Sequence, residues 1–266
     1  MYEFPCIRPM SKELIRHEAH LLWVKYVQEV GPEHVLNYGV DFNEFYDALI
    51  YPQYEIELVR DQTLGVADDG SPILGEFLPK DNTALVDKSL FETGDHRLIF
   101  TASHEVIGHG ILHGPFLREH AKKYPKLLST ERSTGLTASS FDWRQMNTFE
   151  RQANAFAAHV IAPCTYIWCL WVKLFGTRRK MRYCGPGRYH LTFKDMSLPV
   201  HINSPFQLAW IIAKKMQHYF WGLSAQCISY QVAEAVIDYR GYELGDRVPW
   251  GKARTMEQEA IGRLDA

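Results

Sequence analysis

The segment His104-Glu105-Val106-Ile107-Gly108-His109 places the tightest constraint on how this chain can fold. It sets two imidazoles and a carboxylate within six residues, inside an apolar run from Leu98 to Leu112. Two neutral ring nitrogens and a glutamate beside a bound water are the grouping of a zinc hydrolase. The usual spacing, H-E-x-x-H, puts the histidines four residues apart on one helical face. Here they are five apart, and five residues at about 100° each leave the side chains roughly 140° apart on a regular α-helix. Sharing one ion therefore requires a distortion. A single π-bulge takes up the extra residue, and Gly108 and Gly110, flanking His109, leave that turn free to adopt it.

A second pair, His109 and His113, has the four-residue spacing without any bulge. Gly110 follows its first histidine and Leu112 precedes its second, so neither the direct nor the inverted zinc-helix pattern has its glutamate. His104 and His109 are the preferred ligands, with Glu105 as general base and His113 behind them or facing substrate. Packed or surface histidines on a helix are the plain alternative. Catalytic zinc takes three protein ligands, and the third candidate is Glu150. The stretch from Phe149 to Ile161 has apolar or small residues at 153, 156, 157, 160 and 161, a helical period that Pro163 ends. Glu150 shares a face with Ala153, Asn154 and Ala157, small enough for close packing on the helix of His104. Alone, Glu150 reads as a first-turn glutamate favoured by the helix dipole. Beside the histidines it reads as a ligand, because an inward carboxylate is costly unless paired or metal-bound.

These residues resemble the ImmA/IrrE-like zinc metallopeptidases, whose members read R-x-x-x-x-L-A-H-E-x-G-H-x-x-x-H and then E-x-x-A-N-x-F-A-A-x-x-x-x-P. The chain offers Arg97, Ala102-Ser103-His104-Glu105, Gly108-His109 and His113 for the first motif. Glu150, Ala153-Asn154, Phe156-Ala157-Ala158 and Pro163 match the second. The departure is the one residue inserted before His109, and an H-E-x-x-x-H spacing is known in the dipeptidyl peptidase III type, which this stretch resembles only locally. The resemblance spans residues 35 to 240 and is weakest from 164 to 205. It implies an α+β fold with a zincin-like core, a small mixed or antiparallel sheet packed on the zinc-binding helix, and additional helices at the C-terminus. It also implies Zn²⁺ on His104, His109 and Glu150, with Glu105 activating water. Cutting of a regulatory protein such as a repressor is a substrate class it permits.

The chain has 266 residues and a formal net charge of −2. Nothing in that balance drives it towards nucleic acid or a membrane surface, and no run approaches the roughly 18 apolar residues of a membrane span. Cys6, Cys164, Cys169, Cys184 and Cys227 are odd in number and scattered, which fits reduced thiols in a cytoplasm. The expected organisation is a helical segment at 1–34, a metallopeptidase core at 35–163, a helical continuation of the same domain at 164–245 and a tail at 246–266. Ser11 caps a helix that Gly31-Pro32 ends, with His17 and His20 on its surface. Tyr54 to Val59 and Ala84 to Asp87 read as strands, separated by the turn signal Asp68-Asp69-Gly70-Ser71-Pro72. A polar loop is expected within 119–149, and two amphipathic helices around Gly222 within 208–237. Arg178-Arg179-Lys180-Met181-Arg182 reads as a solvated charged loop.

The expected partner is a peptide or protein substrate, with no nucleic acid and no membrane. The strand at 84–87 is the expected edge on which an extended peptide would pair. Tyr183, Tyr189 and His190 are three unresolved candidates for a transition-state hydrogen-bond donor. The rival to a peptidase is a catalytically inactive, metal-binding regulatory or interaction protein on the same fold. A helix-turn-helix reading of the pair around Gly222 has only Lys214 and Lys215 as basic residues within 207–239, too few for a phosphate-reading face.

Overall fold

The computed structural model describes residues 9–66, 70, 72–95, 97–123, 143–193, 196–220 and 222–241. The tail expected at 246–266, the turn residues Asp68, Asp69 and Ser71, and most of the loop expected within 119–149 lie outside them. The fold is mixed α+β and falls into two units, residues 1–163 with 217–224, and residues 164–216 with 225–266.

In the first unit, Ile15, Ala19, Leu22, Trp23 and Tyr26 recur at helical spacing and are the buried face of α1 (Lys12–Val30). Ser11 caps it by accepting the Leu14 N–H at 3.2 Å, and Gly31 ends it at φ 89°, a conformation that suits a residue without Cβ. His17 and His20 are exposed. The short α2 (Pro32–Tyr38) follows. Asp41 then caps a longer helical stretch by accepting the Asn43 N–H. It runs through α3 (Phe42–Phe45), a π-helical turn (Tyr46–Ile50) and α4 (Tyr51–Tyr54). The Tyr46 hydroxyl donates to the Ile56 carbonyl at 2.8 Å and accepts the Leu58 N–H at 3.1 Å. One side chain thus joins this stretch to the first strand.

Three strands form one sheet: β1 (Glu57–Gln62), β2 (Gly75–Leu78) and β3 (Thr83–Asp87), in the order β1-β3-β2. β3 pairs parallel to β1 and antiparallel to β2. The strand expected as a free edge is therefore the central one, and all five of its residues are buried. Ala84, Leu85 and Val86 are apolar on both faces, the pattern of an interior strand; the edge on that side belongs to β2. Sequence alternation did not reveal β2, because its four residues, Gly-Glu-Phe-Leu, are too few to establish a period. Asp87 ends β3 and caps α5 (Lys88–Glu92), accepting the Ser89 N–H at 2.9 Å and the Leu64 N–H at 2.7 Å.

The chain continues into α6 (Leu98–Ser103), a π-helix (His104–His113), α7 (Gly114–Lys123) and α8 (Trp143–Ile161). The π-helix packs against the sheet at Gly110, where a Cβ would lie 2.7 Å from Ile56 Cδ1 and 3.3 Å from the Phe77 ring. On another side it packs against α8, and α1 covers α8 in turn. α8 starts at Trp143, earlier than the apolar period from Phe149 suggests. Glu150 thus lies well inside the helix, where a first-turn dipole no longer accounts for it. Residues 217–224 return to this unit, with Val40 N–H donating to the Tyr219 carbonyl at 3.0 Å.

The second unit contains α9 (Cys164–Phe175), β4 (Met181–Arg182), β5 (Gly187–Phe193), β6 (Met196–Ile202), α10 (Pro205–Met216), α11 (Ala225–Val236) and β7 (Ile237–Asp238). β5 and β6 form an antiparallel hairpin, and β4 pairs parallel with β7. α11 packs on both α9 and α10, burying Ile228, Val232 and Val236 alongside Ile167, Trp171, Leu208 and Ile212. The two helices expected around Gly222 are α10 and α11, and Gly222 itself belongs to the returning segment of the first unit. Among the described residues no single helix is long and apolar enough to cross a membrane.

Asp87 provides a test of the sheet-to-helix junction. Its hydrogen bonds from Ser89 and Leu64 hold its carboxyl below the usual carboxylate range. Its contribution is therefore full above the unfolded value of about 3.9 and is lost as pH falls through the folded value. Asp87→Ala should lower unfolding free energy by about 1 kcal/mol at pH 7. The gap to wild type should narrow as the pH is lowered through the carboxylate range, measured by urea midpoints.

Candidate metal centre

The π-helix resolves the five-residue spacing. Its i→i+5 hydrogen bonding runs from His104 to His113, longer than the single bulge that the spacing minimally requires. A wider helix has more residues per turn, so residues five apart return to one side. The His104 and His109 rings meet edge to face with their centroids 4.6 Å apart, and their Nε2 atoms are 2.9 Å apart. Glu150 reaches across from α8, with Oε2 at 3.1 Å from His104 Nε2 and Oε1 at 3.4 Å from His109 Nε2. One ligand atom from each of the three lies within 4.8 Å of the others.

Glycine at 108 makes this approach possible. A Cβ there would sit 2.7 Å from the Ala153 carbonyl oxygen and 2.8 Å from the Ala153 Cβ, so the π-helix and α8 touch through their smallest residues. That contact is one helical turn from Glu150, which it brings up to the histidines. Glu105 is 7 % exposed and sits under the edge of the sheet. A Cβ on Gly75 of β2 would meet its Cγ and Oε1 at 2.7 Å and Thr101 Cγ2 at 2.8 Å. The edge strand therefore approaches the carboxylate with its backbone.

His113 is also drawn in. Its Nδ1 is 3.3 Å from His109 Nδ1, and its Nε2 is 3.3 Å from Gln152 Oε1. Phe149 stacks on both rings, with centroids 3.8 Å from His113 and 4.8 Å from His109 at interplanar angles of 18° and 26°. The two imidazoles, tilted 43° to each other, thus share one aromatic neighbour. His104 is backed differently: its Nδ1 is buried and has no hydrogen-bond partner among the described residues.

Electrostatics follow from this crowding. Burial lowers the affinity of His104 for a proton, but Glu150's hydrogen bond and the Glu105 and Glu150 charges outweigh it, so its pKa is raised. Burial pushes the Glu105 carboxyl up, against the attraction of His104 and His109. Burial acts the same way on Glu150, yet hydrogen bonds from His104 and His109 win and hold it well below the carboxylate range. Burial, aided by His109, lowers His113 to about 3; it is a neutral ring at neutral pH. Two ring nitrogens with one carboxylate, each of its oxygens close to one of them, suit a shared cation.

The predicted set thus assembles from two helices: His104, Glu105, His109 and His113 from one, Glu150 from the other. Gly75, Phe149 and Gln152 were not singled out from the sequence. An isolated glycine among strand-forming residues does signal a close backbone approach, but β2 had not been recognised as a strand. Tyr183, Tyr189 and His190 all lie in the second unit. Tyr183 is buried and stacks on Tyr189, whose hydroxyl donates to the Gly185 carbonyl and accepts the Cys184 N–H. His190 is exposed. The Tyr189 hydroxyl is thus engaged in holding its own turn.

If the helix contact at Gly108 sets the site, Gly108→Ala should destabilise the protein by about 1–3 kcal/mol through overpacking. Gly187→Ala, whose Cβ would meet nothing within 4 Å among the described residues, should change it by at most a few tenths. Thermal midpoints of both variants against wild type check the contrast. Comparison of the chain with protein-family models, with curated proteins and with solved structures finds no match in any of the three.

Proposed function

We propose that this protein is a zinc-dependent peptidase of the ImmA/IrrE-like type, on a zincin-like core. The observation that carries the reading is the triangle of His104 Nε2, His109 Nε2 and the Glu150 carboxylate, with Glu105 buried beside it. The fit to zinc can be judged from the donors. Ligand atoms bonded at about 2.0–2.1 Å in a tetrahedral set stand about 3.3 Å apart. The Nε2 atoms are 2.9 Å apart, the two Glu150 oxygens lie at 3.1 and 3.4 Å from one Nε2 each, and one ligand atom from each residue lies within 4.8 Å of the others, separations of that order. Two imidazoles and one glutamate are also a known catalytic zinc set. Glu150's side chain is 42 % exposed, leaving the triangle accessible on that side.

Bound there, zinc would supply Lewis acidity and ease deprotonation of a water molecule near neutral pH. The remaining work falls to the chain. Glu105 Oε1 lies 3.9 Å from His104 Nε2, close enough to the triangle to accept a proton from the attacking water. Its raised proton affinity suits it to hold that proton and then deliver it to the leaving amine. The edge of β2, with no side chain at Gly75, offers backbone groups beside Glu105 on which an extended peptide can pair. The site would thus bind a peptide backbone and position its carbonyl next to the base.

The test is metal content of purified protein, wild type beside His109→Ala, Glu150→Ala and Glu105→Gln, combined with a peptide-library cleavage assay. Near-stoichiometric zinc lost in the first two and kept in the third is expected. Glu105→Gln should also cut hydrolysis by at least about 10²-fold. Zinc bound as expected, but no hydrolysis by wild type or Glu105→Gln, would favour the inactive metal-binding alternative. No zinc in any form after reconstitution would rule out the metal centre.

A further inference from the structure

We propose that the basic run Arg178-Arg179-Lys180-Met181-Arg182 is a docking site for a carboxylate-rich stretch of a partner polypeptide. Four of these five residues are cationic, in a chain whose net charge is −2, and all four are exposed. Their side chains are solvated, as the sequence suggests, but the backbone beneath them is held. The Trp171 indole N–H donates to the Arg179 carbonyl at 3.1 Å, and the Thr177 hydroxyl accepts the Arg179 N–H at 3.2 Å. Lys180 Nζ donates to the Glu234 carbonyl at 2.8 Å, near the C-terminal end of α11. Met181 and Arg182 then pair with Ile237 and Asp238 as β4 and β7, and the Tyr183 N–H donates to the Asp238 carbonyl at 2.8 Å. Adjacent like charges repel, so fixing them together opposes folding. A loop whose charge served only solvation would need no such anchoring.

Beside the run lies an open groove of about 760 Å³, lined by Arg179, Lys180, Glu234, Asp238, Tyr239 and Arg240 among others. Its volume is within the range of sites that hold a ligand. Arg240 is tied to Asp238 through Nε at 2.9 Å and Nη2 at 3.0 Å, and Arg182 stands beside Asp238 in the strand register. That carboxylate is therefore already matched. Among the described residues, Arg178, Arg179 and Arg182 make no ion pair. Guanidinium groups take carboxylates through two parallel N–H bonds, and clusters of them are a recurring means of reading acidic motifs. The held backbone spares a ligand the cost of ordering the loop. A nucleic acid fits less well: it places a charge at every link, and the Glu234 and Asp238 carboxylates line the same groove. A peptide carries anions only where its sequence puts them.

The experiment needs neither metal nor hydrolysis, so its result is separate from that of the peptidase reading. Fluorescence anisotropy of the full chain at low salt measures binding of a short labelled peptide alternating Glu with Ser, beside its counterpart with Gln for Glu. The acidic peptide should saturate the protein and the neutral one should not, and salt at about 0.1 M or above should weaken the complex by screening. Replacing Arg178, Arg179 and Arg182 together by Gln should weaken binding by roughly 10-fold or more. Replacing Lys25, Lys80 and Lys88 by Gln removes as much charge from other exposed positions and should change affinity by less than about 2-fold. No binding of the acidic peptide, equal binding of the neutral one, or equal losses from the two triple variants would overturn the proposal. Single-stranded DNA or phosphatidylserine vesicles bound more tightly than the acidic peptide at the same salt, and released by the arginine variant, would overturn the assignment to a peptide. Should the arginine triple fail to fold, Arg179→Gln alone, with an expected loss of about 2–3-fold, and the wild-type peptide comparison decide.

Discussion

Everything at the candidate centre depends on how closely two helices approach at Gly108 and Ala153. A side chain at 108 would drive into the backbone of α8, and Glu150 would retreat from the histidines by a comparable distance. Charge-assisted contacts at 3.1 and 3.4 Å have little tolerance for such a shift. Ala153 lies at that contact, and Ala157 and Val106 on the same two helices are likewise fully buried. Packing and site geometry are therefore one requirement rather than two, and small residues serve both.

The π-helix follows from that requirement. Ten residues in i→i+5 register are unusual, since π-geometry mostly occurs as single turns. An α-helix over the same residues would carry His104 and His109 to different sides. The wider turn brings them to the same ion-sized space, while Val106 and Ile107 remain buried. The glycine at 110 serves the opposite face, where Ile56 and Phe77 press against the helix backbone. Sheet, π-helix and α8 thus pack as successive elements, with the carboxylate of Glu105 at the edge of the first and Glu150 on the last.

Much of this was legible in the sequence, for identifiable reasons. His104, His109 and Glu150, which the structure brings close together, are legible because the histidines fall in one short segment and Glu150 in a stretch of helical apolar period. Ser11 and Gly31 bounded α1 through capping chemistry, which involves only near neighbours. Long-range pairing was harder to read. β2 is four residues long, so its register against β3 depends on the assembled sheet, and the edge was assigned to the wrong strand. The Gln152 contact could not be found from periodicity, because it depends on the crossing of two helices. The early start of α8 is signalled only by Trp143 and Met146, too few apolar positions among polar neighbours to establish a period before Phe149.

A ligand triangle divided between two helices has a thermodynamic consequence. Any cation that binds the assembled triangle and not the unfolded chain draws the population towards the folded form, by about 4 kcal/mol at a thousandfold excess over its dissociation constant. Occupancy would then act as a clasp between the π-helix and α8. In a cell, the supply of metal would set how long the chain survives proteolysis as well as how many sites are filled.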